Sequence, residues 1–300
     1  MQNYKATILI LDYLKAKDVV KNVKSILDQV VNFKFKIIVI DNSCQESNAN
    51  ILKQELIGIE DVKLIINKKN IGYTKAHNQV MKEIEGQYVA IINPDIFWKE
   101  KNSLLKMINY LDDYKDIGIL GPKQINNDGD IAMTVRAFPK FYLQVARRTF
   151  LRKIPILKNF VKYDEMQHLD YSKIQDVDWL QSSCVIIRKE LWDDIGGFCE
   201  DYFLFMSDVE LCYQVWEKGE RVVYYPETYV CADGKRASAG GFKKFFQSWV
   251  LRQHVRDLLK YQFKHLFKRN PRKILMGLSP NTEYGIWRQT LNVKNYKIKC

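Results

Sequence analysis

Short apolar runs alternate with helix-spaced apolar positions along the first 125 residues of the chain. The runs are rich in β-branched residues, which is typical of strands buried on both faces of a sheet. They lie at residues 6–11, 36–40, 63–67 and 87–92. Residues 15–31 and 76–84 instead repeat apolar positions at a helical spacing. The alternation predicts βαβ units, and so an α/β fold with a mostly parallel sheet that helices cover on both faces.

The second half of the chain has weaker patterns. Residues 126–175 show no clear period after a turn at 126–130, so they are interpreted as a loop-rich insertion whose role stays open. The other predicted elements are a helix at 104–111, a strand at 117–122, a strand and a helix within 177–198, a helix at 207–218 and a strand at 221–225.

Basic residues concentrate at the end of the chain. Sixteen of the 47 Lys and Arg residues, but only two of the 35 acidic residues, follow Gly234. An apolar stripe at helical spacing is interleaved with these basic side chains. The stripe comprises Phe242, Phe245, Phe246, Trp249, Val250, Val255, Leu258, Leu259, Phe263, Leu266 and Phe267. Residues 235–300 are therefore predicted to be a basic, amphipathic helical extension of a domain at residues 1–234.

The composition is that of an ordinary globular chain. Hydrophobic residues make up 47% of the sequence, which is enough for a sizeable core. No apolar stretch reaches the roughly 18 residues expected of a membrane-spanning helix, and the N-terminus shows no signal-peptide pattern. The six cysteines are scattered without a C-x-x-C pair, so we expect reduced thiols in a cytoplasmic protein.

Two carboxylates follow predicted strands. Asp41 ends the run at 36–40, and Asp95 closes an Asn93-Pro94-Asp95 turn after the run at 87–92. Ligands of parallel sheets bind beyond the carboxyl ends of the strands. There Asp41 is placed to accept a hydrogen bond from a base or ribose, and Asp95 to bind a hard divalent cation. The alternative for each is an ordinary helix-capping or turn residue.

Two further groups are candidates for chemistry. In the segment after the third strand, Gly72 allows a close backbone approach to a phosphate, and Asn70 and Asn78 flank it. The alternative is an ordinary loop with a capping Asn. Asp208 and Glu210 lie in an otherwise apolar and aromatic stretch. They are interpreted either as a helix-start pair that favours the dipole or as a general base facing a cleft.

Six segments in this order resemble the family-2 glycosyltransferases of the GT-A fold, over about residues 5–265. Within that family, they are similar to the rhamnosyltransferase-like enzymes of bacterial surface-polysaccharide assembly. The segments are IIVIDNS (37–43), NKKNIGYTKAHN (67–78), YVAIINPDI (88–96), GILGPKQINNDG (118–129), 177–212 and ERVVYYPE (220–227). The resemblance implies a Rossmann-like sheet, with a nucleotide-sugar half at about 1–125 and an acceptor half at about 126–234.

The resemblance also implies a reaction, the inverting transfer of a sugar from a nucleoside diphosphate sugar to a saccharide or lipid-linked acceptor. The first expectation for the donor is dTDP-rhamnose. Asp208 matches the catalytic base, and Asp95 would hold Mg²⁺ or Mn²⁺ on the diphosphate. The other matched positions are Asp41, Asn70, Gly72, Asn78 and Asn93 for the nucleotide sugar, and Trp179 and Glu210 for the acceptor side.

Departures from the family pattern leave the need for a metal open. Ser207 stands where the family has Glu before its base, and Tyr13-Leu14 where an Asn-containing loop is common. Ala232 stands where a His often reaches the metal, and Asp233 beside it is a substitute that the resemblance does not favour.

The basic extension resembles C-terminal helices of relatives that act on lipid-linked acceptors. A partner is therefore expected in the anionic inner-membrane surface, contacted through residues 242–273 at the cytoplasmic face. Packing against the rest of the chain or an oligomer contact, including a homodimer, stays open. Nucleic acid is not expected, because the apolar stripe suits lipid or packing better than phosphate tracking.

Other classes of protein fit less well. A dehydrogenase would need G-x-G-x-x-G after the first strand, and the sequence there is LDYLKAKD. A glycosidase would not explain the two strand-end carboxylates. A catalytically inactive transferase-like domain that binds membrane or nucleic acid stays open as the alternative, because Ser207 and Ala232 depart from the family pattern.

Overall fold

The computed structural model describes residues 4–140, residue 143, and residues 154–233 and 248–277. The strands are β1 (Ala6–Asp12), β2 (Phe35–Asp41), β3 (Val62–Ile66), β4 (Tyr88–Ile92), β5 (Ile96–Phe97), β6 (Ile117–Asn126), β7 (Val135–Arg136), β8 (Gln175–Asp176), β9 (Trp179–Leu180), β10 (Cys184–Arg188) and β11 (Arg221–Ala232). The helices are α1 (Ala16–Leu27), α2 (Glu46–Leu56), α3 (Tyr73–Asn78), α4 (Ser103–Asp113), α5 (Pro155–Asp164), α6 (Lys189–Ile195), α7 (Ser207–Glu217), α8 (Trp249–Lys264) and α9 (Pro271–Leu275).

One nine-stranded sheet organises the molecule. Its order is β3-β2-β1-β4-β10-β6-β11-β5, with β8 paired to β11. Strands β3, β2, β1 and β4 are parallel, and β6 and β11 are parallel to each other. Strand β10 lies between these two groups and is antiparallel to both of its neighbours. A small second sheet pairs β7 with β9. The mixed sheet with its helices confirms the predicted α/β class.

The sheet is covered on both faces, as the apolar runs predicted. Neighbouring residues of β1 enter different cores: Leu9 packs in one cluster, and Ile8 and Ile10 pack in the other. The first cluster includes Val209 and Val215 of α7, and the second includes residues of α1 and α4. A strand with apolar side chains on both faces is stable only between two layers. The layers leave the carboxyl ends of the strands open for a site.

The structure differs from the sequence prediction in several elements. The helix expected at 76–84 is α3, which starts at Tyr73, followed by a separate 3-10 turn at Met81–Glu83. Helix α2 was not predicted, because polar residues dominate its sequence ESNANILKQEL. Strand β11 runs well beyond residue 225, with a register shift between Tyr225 and Tyr229. Pro226 lies within this shift. Proline has no backbone N–H group to donate, so it interrupts the regular hydrogen bonding between the strands.

The side chains that the C-terminal helices bury are mostly not those of the predicted apolar stripe. Helix α8 buries Leu251, Leu258 and Tyr261, and the last two join the core cluster that contains α7. Of the predicted stripe, Trp249, Leu259, Phe263, Leu266 and Phe267 are exposed, and residues 242, 245 and 246 lie outside the described residues. Ser248 caps α8 by accepting a hydrogen bond from the Leu251 N–H. The boundary between a domain and an extension at residue 234 stays a prediction.

Two further expectations concern the membrane and the cysteines. Within the part of the chain that the structure describes, no helix combines the length and the apolar character required to cross a bilayer. Cys44, Cys184, Cys199 and Cys212 are free thiols, as expected.

Candidate functional site

A cavity of about 350 Å³ opens at the carboxyl ends of β4 and β6. Acidic side chains reach it from two directions, because Asp95 follows β4 and Asp208 lies in the first turn of α7. Other lining residues are Asn93, Trp179, Ser182, Asp233 and His254. The structure therefore brings together two of the predicted carboxylates, Asn93 and Trp179.

The turn that presents Asp95 is fixed through the backbone of Asn93. The Asn93 N–H donates to the Ser183 carbonyl at 2.8 Å, and the Asn93 carbonyl accepts from the Asn22 side chain at 2.8 Å. Asp95 is then held by Lys15, whose Nζ lies 2.9 Å from the Asp95 Oδ2. Burial raises the pKa of Asp95, the Lys15 ammonium lowers it, and the neighbouring Asp233 raises it again. The net direction is upward, as expected for two carboxylates that share one cation.

Asp208 lies at the start of α7, where the chain turns sharply. Met206 takes a left-handed conformation with φ of 64°, and the helix begins at the next residue. The Val209 N–H donates to the Asp208 Oδ1 at 2.9 Å. Burial raises the pKa of Asp208 to about 6, although backbone N–H groups near it oppose the rise. A carboxylate with this pKa is a stronger base than an exposed one and remains ionised at neutral pH.

The segment before Asp208 is held by helix α8. The buried Asp257 accepts hydrogen bonds from the Leu204 N–H at 3.2 Å and the Phe205 N–H at 3.0 Å. His254, one turn earlier, places its ring centroid 4.5 Å from that of Phe205 and lines the cavity. The basic extension thus contributes directly to the site. The sequence analysis missed this, because both residues lie in a stretch that was interpreted as a lipid-facing stripe.

Trp179 and Glu210, both predicted for the acceptor side, lie in different environments. Trp179 forms part of the cavity wall, and its Nε1 donates to the Ala137 carbonyl at 2.8 Å. Glu210 is fully buried and does not line the cavity. Its carboxylate instead lies 2.7 Å from His265 Nε2 and 2.9 Å from Lys264 Nζ. These contacts attach α7 to the end of α8, and a role of Glu210 on the acceptor side stays a prediction.

Asp41 lies at the same edge of the sheet but outside the lining of the cavity. It is fully buried, and its Oδ1 accepts from the Ser43 N–H at 2.9 Å and from Asn48 at 3.2 Å. Its Oδ2 is buried without a hydrogen-bond partner in the described residues. Such an orphaned acceptor is costly. Because this oxygen is closed off from the solvent, no ligand reaches it in this conformation, and the nucleotide contact of Asp41 stays a prediction.

The remaining three predicted residues hold loops together. The Asn70 Oδ1 accepts from Asn42 and from the Gly72 N–H, each at 2.9 Å. Gly72 has a φ of +88°, and a Cβ there would lie 2.9 Å from the Phe203 carbonyl oxygen. Asn78 exchanges hydrogen bonds with the backbone of Phe198 at 2.8 and 2.9 Å. None of the three lines the cavity around Asp95, although Asn70 lines a second cavity of about 440 Å³. Direct contact with the nucleotide sugar stays a prediction for them.

A divalent cation fits the Asp95 side of the cavity. Lys15 Nζ lies between two carboxylates, 2.9 Å from Asp95 and 3.8 Å from Asp233. The Lys15 ammonium thus lies beside two carboxylate oxygens, which are the type of ligand that Mg²⁺ prefers. Waters and phosphate oxygens usually complete the coordination of Mg²⁺ where the protein supplies only one or two carboxylates. No cluster of three or more His, Cys, Asp or Glu suited to a metal occurs among residues whose placement is described. Ala232 lines the cavity without offering a ligand.

The fold and the acidic cavity define a class of proteins with the GT-A fold. A mannosyltransferase, PcManGT from Pyrobaculum calidifontis, solved with GDP-Man and Mn²⁺, matches 96% of this chain and 89% of its own, with a TM-score of 0.55. GalNAc-T7, solved with UDP, GalNAc and Mn²⁺, matches 96% of this chain and 58% of its own, with a TM-score of 0.58. Both are 13% identical to this chain, so they show the shared fold alone.

The sequence identifies the family within that class. Residues 7–179 match the profile of Glycosyl transferase family 2, and the chain belongs to this family. The N-acetylglucosaminyl-diphospho-decaprenol L-rhamnosyltransferase of Mycobacterium tuberculosis is 25% identical over 184 residues, 57% of this chain and 58% of the relative. The rhamnosyltransferase WbbL of Escherichia coli K12 is 23% identical over 202 residues, 65% of this chain and 69% of that protein. The predicted rhamnosyltransferase-like family resemblance is confirmed.

Proposed function

We propose that this protein is an inverting glycosyltransferase that moves a sugar from a nucleoside diphosphate sugar to a hydroxyl group of a saccharide or lipid-linked saccharide. The reaction would serve cell-surface polysaccharide assembly. One observation carries the proposal: a carboxyl group with a pKa of about 6, Asp208, shares a cavity with the cation-holding carboxylate of Asp95. A base and a site for the diphosphate are the two groups that this chemistry requires.

In the proposed reaction, Asp208 accepts the proton of the acceptor hydroxyl while that oxygen attacks the anomeric carbon. The new C–O bond forms on the face opposite the diphosphate, and the bond to the diphosphate breaks, so the configuration inverts. Asp95 and Asp233 would hold the divalent cation, Mg²⁺ or Mn²⁺. When bound, that cation offsets the negative charge that grows on the leaving diphosphate. Asp41, at the end of β2 on the same edge of the sheet, would contact the nucleotide.

We propose dTDP-rhamnose as the first donor to test. Support comes from the names of the mycobacterial and Escherichia coli relatives, both of which are rhamnosyltransferases. The mycobacterial name also includes a diphospho-decaprenol acceptor, which supports a lipid-linked acceptor for this chain. On the protein side, the indole of Trp179 offers a flat apolar wall in the cavity that Asp208 also lines, where an acceptor ring would pack.

We further propose that the C-terminal helices contact an anionic membrane surface at the cytoplasmic face. The side chains of Phe263 and Phe267 are 75% and 94% exposed, which is costly for large apolar groups in water. Leu266, Ile274 and Leu275 are also exposed nearby in the chain, and basic residues separate them. An alternation of exposed apolar and basic side chains suits the interface of an anionic bilayer.

Donor binding tests the proposed function. The full chain is mixed with dTDP-rhamnose, UDP-sugars and GDP-sugars, with and without Mn²⁺, and its thermal unfolding is followed. A bound donor at about 100 times its Kd stabilises the folded state by about 2.7 kcal/mol, so the melting temperature should rise by several degrees. The donor that stabilises the protein is then offered with polyprenyl-diphosphate-linked saccharides, and transfer is measured. No stabilisation by any nucleotide sugar would contradict the proposal.

A further inference from the structure

The Lys15 side chain occupies an unusual position for a lysine. Its backbone N–H donates to the Asp12 Oδ1 at 2.8 Å, which fixes the start of α1 at the end of β1. Its ammonium then reaches Asp95, after β4, and Asp233, at the end of β11. The two carboxylate side chains are only 14% and 17% exposed. Lys15 therefore joins three separate segments at the place where the donor diphosphate would lie.

The two carboxylates require a cation between them. Asp95 and Asp233 lie 2.9 and 3.8 Å from the same Lys15 Nζ, and two ionised carboxylates in one partly buried place repel each other. The Lys15 ammonium provides the compensating charge from within the chain. A divalent ion that binds the same two carboxylates needs the same space, because its oxygen ligands lie about 2.0–2.6 Å away. The ammonium and the metal ion are thus mutually exclusive.

We propose that Lys15 is a built-in counter-ion that holds the metal position of the donor-free protein, and that Asp233 is the second protein ligand beside Asp95. This inference rests on the proposed function, because the donor diphosphate is what brings the metal ion in. A metal ion alone must displace Lys15 and so binds weakly. A metal ion bound to a nucleoside diphosphate binds more tightly, since the phosphates provide further ligands and a new partner for the released ammonium.

The chemistry of lysine suits this exchange. Its ammonium is a compact, strongly hydrated charge on a flexible four-carbon stem, and the Lys15 side chain is 38% exposed. It can therefore move from the carboxylates to solvent or phosphate without disturbing α1. Asp233 also supplies the oxygen ligand that Ala232 lacks. The consequence is a site that selects the metal–donor complex over the free metal ion.

Direct metal binding without nucleotide tests the proposal. The full chain is titrated with Mn²⁺, and free Mn²⁺ is measured by electron paramagnetic resonance. Removal of a positive charge about 4 Å from the metal position should tighten Mn²⁺ binding by about tenfold or more in Lys15→Met. Lys17→Met removes the same charge from an exposed position two residues later and should leave the affinity unchanged.

Adding Asp233→Asn to Lys15→Met should reverse most of the gain, because one of the two ligands is lost. Equal Mn²⁺ affinity of Lys15→Met and the unchanged protein would overturn the inference, as would tight binding that survives the loss of Asp233. Circular dichroism of each variant checks that it is folded. Donor-induced stabilisation of the unchanged protein is measured in parallel. If that stabilisation is present and the Mn²⁺ result fails, the counter-ion inference is wrong and the proposed function stands.

Discussion

The Asp208 carboxyl group has its pKa raised to about 6 by burial, and this has a consequence for the pH dependence of catalysis. Only the ionised form accepts a proton, so kcat/KM should fall as the pH drops through about 6. A profile of kcat/KM, which reports the pKa of the free enzyme, between about pH 4 and pH 8 would show this limb, with a slope that corresponds to one proton. A limb near pH 4, the ordinary value for Asp, would contradict this assignment of the base.

At the scale of single residues, the sequence pointed to some of the side chains that line the cavity and missed others. Asp95 and Asp208 were predicted because each directly follows or begins an element whose pattern is clear. Glu210, which the sequence grouped with Asp208, does not line the cavity. Residues two positions apart on a helix face different directions, so α7 presents Asp208 to the cavity and Glu210 to α8. Lys15 was not predicted, because its partners Asp95 and Asp233 lie far from it in the chain.

At the scale of elements, α8 supports the segment that leads to Asp208. The Asp257 carboxylate accepts hydrogen bonds from two backbone N–H groups of that segment and from Gln253. Asp257→Ala would leave these part-buried donors without their partner, so we expect a loss of about 1–3 kcal/mol in the free energy of unfolding. Urea unfolding monitored by fluorescence measures it. Asp113→Ala, at an exposed position, is the control and should change stability by less than about 0.5 kcal/mol. Equal losses in the two variants would contradict a supporting role for α8.

The elements themselves were predicted unevenly, for physical reasons. Strands β1, β2 and β4 form continuous apolar runs because both of their faces are buried, and such runs stand out in a sequence. Helix α2 has few apolar positions, because it packs mainly against α1 and the edge strand β3, and its pattern gave no signal. The buried face of α8 includes polar side chains, among them Gln253, His254 and Asp257. The apolar pattern alone therefore did not indicate which side chains of this helix pack against the rest of the chain.

At the scale of the whole molecule, the exposed apolar side chains of the C-terminal helices predict membrane attachment. The double variant Phe263→Ser, Phe267→Ser should bind vesicles that contain phosphatidylglycerol at least about tenfold more weakly, since burial of each Phe is worth about 1.5–3 kcal/mol. Co-sedimentation measures the bound fraction. Tyr114→Ser removes another exposed aromatic side chain and serves as the control. Sedimentation of the double variant at the level of the unchanged protein would reject the membrane role.

The fold class followed from the sequence because alternating strands and helices allow few architectures. The antiparallel insertion of β10 between β4 and β6 did not follow, since pairing between distant strands leaves no local pattern. The same limit applies to the site. The sequence could place carboxylates at strand ends, but only the folded chain shows that α8, β11 and the β1–α1 connection meet around them.

The most direct test of the account is the Asp208→Asn variant, assayed for donor binding and for transfer. The substitution keeps the size of the side chain and removes its capacity to accept a proton. We expect the donor to stabilise the variant as it does the unchanged protein, while kcat for transfer falls by about 10²–10⁴-fold. Asp201→Asn, at an exposed position before the same segment, is the matched control and should retain activity. Transfer by Asp208→Asn at a rate close to that of the unchanged protein would remove Asp208 as the base and contradict the proposed mechanism.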